Sequence, residues 1–175
     1  MRVFTAIHFD KMVIDELLRV QKVIKENSPT CRLSREENLH LTLEFLGECD
    51  RKKMYSACLA LDEIDMDSFE VKLNGLGCFK SRDNSLIWAG ISSTKLIELK
   101  KSLDDALINR SVSFDKKPFK PHITLARECS LNTEFIKSIN VKGRSIIDKV
   151  SLMQSERVDG VLKYTEIYSK KLRRC

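Results

Sequence analysis

Two four-residue frames constrain this chain more than anything else in it. They are His40-Leu41-Thr42-Leu43 and His122-Ile123-Thr124-Leu125, both of the form His-apolar-Thr-Leu, and they hold two of the three histidines. The pattern around them also repeats. Strand, helix, His-x-Thr strand, helix, strand runs twice in the same order. Ala6 precedes His40 by 34 residues and Gly90 precedes His122 by 32, while Phe69 and Ser151 each follow their motif histidine by 29. This fits an internal duplication of about 82 residues, with approximate repeats 1–82 and 83–175. No long linker parts the halves, so the expectation is one bilobal unit, 1–175, with the lobes packed together and the chain crossing between them.

The two-residue spacing has a direct consequence. In a strand, residues i and i+2 share a face. His40 and Thr42 therefore look one way and Leu39, Leu41 and Leu43 the other; His122 and Thr124 are opposed in the same manner to Ile123 and Leu125. The leucine faces are core. The polar faces need water or a polar ligand, because burying them unpartnered costs a few kcal/mol. A pseudo-twofold axis between the halves would turn both polar faces into one cleft. Two imidazoles and two hydroxyls would then surround one small anion.

That set suits phosphoryl chemistry. A neutral imidazole accepts a proton from water while a charged one gives a proton to the leaving oxygen, and an ordinary histidine pKa near 6.5 lets both forms coexist around neutrality. Threonine hydroxyls donate to nonbridging phosphate oxygens. Such chemistry requires no metal or other cofactor, and a bell-shaped pH dependence is expected. Two histidines without a third ligand at fixed spacing are a poor zinc set. The chain also has no Gly-x-Ser-x-Gly elbow, Walker loop or dinucleotide fingerprint.

Local patterns place the motifs. "RVFTAIHF" reads as a strand, followed by a helix capped by Asp10 with Ile14, Leu17, Leu18, Gln21 and Ile24 on one face. "LHLTLEFL" alternates as a strand that ends at Gly47. Asp50 caps a second helix with Met54, Ala57, Cys58, Leu61 and Ile64 inward. "FEVKLNGLGCF" and "SLIWAGI" are strands, and Leu96, Leu99, Leu103, Ala106 and Leu107 mark a third helix. Pro118 and Pro121 hold the approach to "HITLAR" extended. A short helix over Leu131 to Ile139 and strands near Ser145–Gln154 and Leu162–Ser169 complete the chain.

Bulk composition narrows the class without naming a function. The chain has 42% apolar and 32% charged residues, as a soluble globular protein does. No apolar run approaches the roughly 20 residues of a membrane span, and the N-terminus lacks a signal-peptide pattern, so the cytoplasm is the expected compartment. The six cysteines form no C-x-x-C pair and are expected to be free thiols. A net charge of +6 is compatible with a phosphate-rich partner such as RNA. With no heptad or evident dimer face, a monomer without a protein partner is expected.

The paired motifs "HLTL" and "HITL" resemble the signature of the two-histidine phosphoesterase superfamily. The wider text is similar to its RNA 2′,3′-cyclic phosphodiesterase branch, also called 2′-5′ RNA ligases. The matching stretches are "RVFTAI", "ENLHLTLEFLGE", "GLGCF", "LIWAGI", "KPFKPHITLAR" and "SERVDGVLKY", in order along the chain. The resemblance implies an α+β fold of two pseudo-symmetric lobes, antiparallel sheets lining a central cleft and helices outside. It implies hydrolysis of an RNA-terminal 2′,3′-cyclic phosphate to a 2′-phosphomonoester, with reversible 2′-5′ ligation by the same groups. His40 would be the proton donor and His122 the proton acceptor, with Thr42 and Thr124 on the phosphate. Arg127 matches an Arg that would contact phosphate, although strict alternation puts it on the Ile123 face, so it needs a twist or bulge. Phe119 would stack on a base at the cleft rim, while alternation assigns Phe45 to the core. Tyr164 fills a position where the family often has Tyr, and is read as structural. For His8 the family calls for no histidine. The segment "CRLSREEN" lacks the aromatic residue that commonly precedes the first motif, with Arg32 and Arg35 there instead. RNA ends or cyclic nucleotides are the implied partners. The alternatives are a binding module for RNA ends or nucleotides without turnover, and a related phosphodiesterase acting on 2′-5′ oligonucleotides or an ADP-ribose cyclic phosphate.

Overall fold

The computed structural model describes residues 1–28, 30–80 and 85–174. In chain order the elements are β1 (Arg2–Ile7), α1 (Lys11–Asn27), β2 (Arg32–Leu33), β3 (Leu41–Glu48), α2 (Arg51–Asp62), β4 (Phe69–Lys80) and β5 (Ser85–Ser92). Then follow α3 (Thr94–Asn109), β6 (His122–Cys129), α4 (Thr133–Ser138), β7 (Arg144–Ile147), β8 (Lys149–Val158) and β9 (Val161–Lys171). The strands form one antiparallel sheet in the order β7-β4-β5-β6-β3-β1-β8-β9, with β2 attached to β6. The fold is α+β, and the β6/β3 junction divides the strand path into two four-stranded halves.

The strands that flank the two motifs pair in matching register. Ala6 opposes Thr42 as Trp88 opposes Thr124, Ile7 opposes Leu41 as Ala89 opposes Ile123, and Thr5 opposes Glu44 as Ile87 opposes Ala126. The halves exchange strands. β4 follows the first motif but pairs with β5 and β7, and β8 follows the second motif but pairs with β1. Helix α1 crosses in the same way, leaving β1 to pack on β6 and β7. α2 lies against α3, β8 and β9, and α4 lies against β4. One core results, in which Ile7, Leu17, Ile24, Leu41, Leu61, Leu99, Leu103 and Ile123 are fully buried.

The helix starts agree with the sequence. Asp10 Oδ1 accepts from the Val13 N–H at 3.0 Å and Asp50 Oδ1 from the Lys53 N–H at 2.7 Å, each satisfying an orphan donor of the first turn. α3 buries the five residues expected, and Lys100 with them. The inward stripe of α1 is rotated slightly, to Val13, Leu17, Val20, Gln21 and Ile24. Gln21 belongs there because its side-chain amide donates to the carbonyls of Ser34 and Leu125, both at 2.8 Å. The stretch expected as one strand near Ser145–Gln154 is two, β7 and β8, because the chain changes lobes at Asp148. Gly47 sits inside β3 with φ 69° and does not end it.

The cysteines need a correction. Cys31 and Cys129 are disulfide-bonded, whereas Cys49, Cys58 and Cys78 are free; Cys175 lies outside the described residues. Spacing alone gave no hint of the pair, since 98 residues separate the two thiols and only the β2–β6 pairing brings them together.

Under the first motif strand lies a charged cluster. Lys100 is 8% exposed and Glu44 5%, and the Lys100 ammonium contacts the carboxylates of Glu44 and Asp104. Phe114 and Phe119 face the same ammonium at 6.0 and 5.4 Å. The Glu44 N–H donates to Thr5 Oγ1 at 3.0 Å. Removing one partner strands a buried charge, which costs about 3–5 kcal/mol. We therefore expect Lys100→Met to lower the urea unfolding free energy by about 3 kcal/mol or more. A change below about 0.5 kcal/mol would show that this cluster is solvated.

Candidate active site

The site begins at the seam between the halves. β3 and β6 meet through one register pair, Leu41 opposite Ile123, both fully buried. In an antiparallel pair the flanking residues turn to the other face together. His40 is thus set across from Thr124, and Thr42 across from His122. Directly opposed side chains start about 5 Å apart and diagonal ones about 7–8 Å. The two histidines form a diagonal, a separation that one phosphoryl group with a hydrogen bond on each side spans.

Both rings are held the same way. His40 Nδ1–H donates to the Asn38 carbonyl at 2.8 Å, and His122 Nδ1–H donates to the Lys120 carbonyl at 2.6 Å. Each anchor is the carbonyl two residues upstream. A carbonyl only accepts, so Nδ1 carries the proton and Nε2 of the neutral ring is left as the acceptor. At His40 that nitrogen accepts from the Thr42 hydroxyl at 3.0 Å.

Burial pushes the His40 pKa down to about 4, with help from the positive charges of His8, His122 and Arg127 and against the Asn38 hydrogen bond. His122 is lowered first by burial and then by Lys120 and Arg127, against its own carbonyl bond. His8 is lowered by burial and Lys149, with Glu166 opposing. All three imidazoles are thus kept neutral around neutral pH.

Aromatic walls flank the pair. His40 has Phe4 at 5.0 Å and Tyr164 edge-on at 5.1 Å between ring centroids, with His8 at 6.3 Å. His122 has Phe79 edge-on at 5.2 Å and Trp88 at 6.2 Å. Lys120 Nζ lies 4.4 Å over the Trp88 ring and 5.0 Å over Phe79.

The strand bulges decide which neighbours join the site. Between Ser85 and Trp88 the β5–β6 register slips, and Leu125 and Ala126 are both fully buried as consecutive residues. Two inward residues in a row reverse the alternation beyond them. Arg127 therefore comes out on the His122 face, where its charge acts on His40, His122 and Tyr164. This is the bulge the sequence requires for Arg127. β3 does the same at Leu43 and Glu44, both buried, with a register shift between Thr5 and Ala6. Phe45 consequently leaves the core to which alternation assigns it. It is 57% exposed, 6.0 Å from Phe4. Phe119, expected at a cleft rim, is half-buried against the hydrophobic core, with the Lys100 ammonium 5.4 Å from its ring. His8 and Tyr164, to which the sequence assigns no part in the site, both reach His40; the parity of His8 with Ala6 on β1 is the signal in the sequence that places it there. Arg32 pairs with Glu128 at 2.9 Å and Arg35 with Glu37 at 3.6 Å.

An α+β fold of this topology, with paired His-x-Thr strands at its seam, defines a phosphoesterase of the two-histidine type. The chain belongs to the LigT like phosphoesterase family, whose profile matches residues 7–88 and 90–162. It is 31% identical over 128 residues to an RNA 2′,3′-cyclic phosphodiesterase of Methanocaldococcus jannaschii, covering 73% of this chain and 71% of that one. With a protein of the same name from Thermotoga maritima it shares 34% over 132 residues, 73% and 70% of the two chains. Among solved structures, Escherichia coli LigT complexed with 3′-AMP superposes with a TM-score of 0.82 at 25% identity, covering 98% of this chain and 97% of that one.

Acid should weaken this fold. A histidine held below its ordinary value leaves the unfolded chain binding more protons between the two pKa values, so stability rises with pH across that window and is lost as pH falls through it. We expect the denaturation midpoint to drop as pH falls from 6.5 towards 4, and His40→Asn to flatten that slope. An unchanged slope would mean that His40 is solvated in the folded protein.

Proposed function

We propose that the cleft hydrolyses an RNA-terminal 2′,3′-cyclic phosphate to a 2′-phosphomonoester by paired histidine acid–base catalysis. One observation carries the reading: both imidazoles present Nε2 from identical carbonyl anchors on strands joined at Leu41–Ile123. The names of the relatives and the 3′-AMP held by Escherichia coli LigT support this substrate class.

On this reading His122 Nε2 takes a proton from water as the water oxygen attacks phosphorus. The bond from phosphorus to O3′ breaks, and His40 Nε2–H returns a proton to O3′. The 2′ oxygen keeps the phosphate. Thr42 and Thr124 donate hydroxyl hydrogen bonds to the nonbridging oxygens, and Arg127 supplies positive charge. His40 is the more deeply buried ring, so its imidazolium is the stronger acid, which suits a donor. Burial disfavours that imidazolium in the empty cleft, and the phosphate anion offsets the burial. Substrate binding and proton uptake are thereby coupled. If a 5′-hydroxyl replaces water, the same groups join the ends through a 2′-5′ bond.

The test is turnover of a 2′,3′-cyclic nucleotide in EDTA with product analysis. We expect 2′-phosphate, and a fall in kcat of about 10²–10⁴-fold in His40→Ala and in His122→Ala separately. Tight binding without turnover would make the cleft a binding module, and a 3′-phosphate product would reverse the leaving oxygen. In the same assay kcat/KM should already be falling with rising pH below 6.5, because the free enzyme loses its imidazolium early. A profile flat from acid to alkaline pH would count against paired acid–base work.

A further inference from the structure

We infer that Phe79, Trp88 and Lys120 form a second nucleoside subsite, on the water side of the phosphate, that takes the base of an RNA end bearing a 5′-hydroxyl. The inference rests on the proposed roles of the two histidines and adds a place for a second substrate.

The shelf is built. Trp88 lies opposite Thr124 in the sheet and opposite Gly77 on its other side, so its side chain stands on the cleft face. A Cβ at Gly77 would fall 2.3 Å from the indole, and one at Gly90 would stand 3.4 Å from it. The ring therefore lies directly on glycine backbone, and no larger residue at position 77 would let it settle there. Phe79 adjoins it at 5.4 Å between centroids. The Lys120 ammonium stands over both rings, at 4.4 and 5.0 Å. A nucleobase stacks on such rings when the flexible Lys120 side chain swings aside, and the displaced ammonium can donate to the ring nitrogens and carbonyl oxygens of the base. Trp88 Nε1–H is buried and has no hydrogen-bond partner among the described residues, so the indole is held by packing alone.

Position gives the shelf its role. It adjoins His122 and not His40, whose ring neighbours are Phe4, Tyr164 and His8. The nucleoside carrying the cyclic phosphate belongs on the side of its leaving O3′, next to His40. A base on the shelf is on the opposite side, where water attacks, and its ribose brings the 5′-hydroxyl to His122. O5′ then bonds to phosphorus as the O3′ bond breaks. His122 takes the O5′ proton and His40 gives one to O3′. The cyclic phosphate monoanion becomes a 2′-5′ phosphodiester monoanion, with no water consumed. The other lobe has Ala6 in the place of Trp88, so the shelf is one-sided.

Trp88 is the only tryptophan of the chain, so its emission reports on the shelf directly. Titrating the full chain with adenosine, which carries no phosphate, should quench that emission saturably, and Phe79→Ala and Lys120→Ala should each raise the midpoint about tenfold. With 2′,3′-cyclic AMP and adenosine together, we expect a 2′-5′ dinucleoside beside 2′-AMP, and Phe79→Ala should lower the dinucleoside to 2′-AMP ratio about tenfold whatever the total rate. Emission indifferent to adenosine up to millimolar concentration, with hydrolysis proceeding, would overturn the shelf and leave the hydrolase. An unchanged product ratio in Phe79→Ala would also overturn it. Quenching without turnover of the cyclic nucleotide would keep the nucleoside site and remove the proposed chemistry instead.

Discussion

The structure depends on one contact, the antiparallel pairing of Leu41 with Ile123. Each is fully buried, and each stands between a histidine and a threonine that must face the other way. Burying the apolar residues is favourable by about 1.5–3 kcal/mol per side chain, and that gain orients the polar ones at no further cost. Because the pair lies at the centre of the strand order, three further strands of the path brace it on either side. The crossing of β4, β8 and α1 between the halves ties each lobe to the other's motif strand. Neither lobe can shift without disturbing the strand pairing on both sides of the seam.

Away from the seam, the strands depart from simple alternation twice, at equivalent places. Leu43 with Glu44, and Leu125 with Ala126, are consecutive inward residues. The second bulge inserts an alanine into the core and demands little. The first inserts a glutamate, which is tolerated because Lys100 meets it from α3. The same ammonium attracts Phe119, three residues before His122. One buried lysine thus joins the bulge that aims Phe45 to the segment that leads into the second motif.

Much of this was legible in the sequence because periodicity of two and of 3.6 are both set by backbone geometry. The caps at Asp10 and Asp50, the apolar face of α3 and the opposed faces of the motif strands follow from local pattern. Phe45 and Phe119 did not, for complementary reasons. Phe45 was assigned by alternation, and the bulge that overrides alternation is stabilised by a lysine more than fifty residues away in the chain. Phe119 stands close to His122 in sequence, yet its ring packs against the core with the same lysine's ammonium beside it, a contact between distant segments. The Cys31–Cys129 bond is likewise non-local, created by the β2–β6 pairing. Arg127 shows the converse: alternation alone puts it on the wrong face, so its place beside the histidines requires a bulge, and the bulge is there.

A fully symmetric cleft would bind a cyclic phosphate in two opposite orientations with equal affinity, and neither histidine would have a fixed role. The repeats are unlike at three equivalent places within the cleft: Phe45 matches Arg127, His8 matches Gly90, and Ala6 matches Trp88. A charged residue, an imidazole and an indole are thereby distributed unevenly about the axis. Orientation needs only a difference in binding free energy, and about 1.4 kcal/mol already gives a tenfold preference. Stacking on one wall, or the contact of one guanidinium with a nonbridging oxygen, supplies that much. On the proposed reading the matching anchors of the two rings let each one give or take a proton. On the same reading the direction of the reaction comes from the asymmetric part, where equivalent positions of the two halves carry unlike side chains while the His-x-Thr frames are alike.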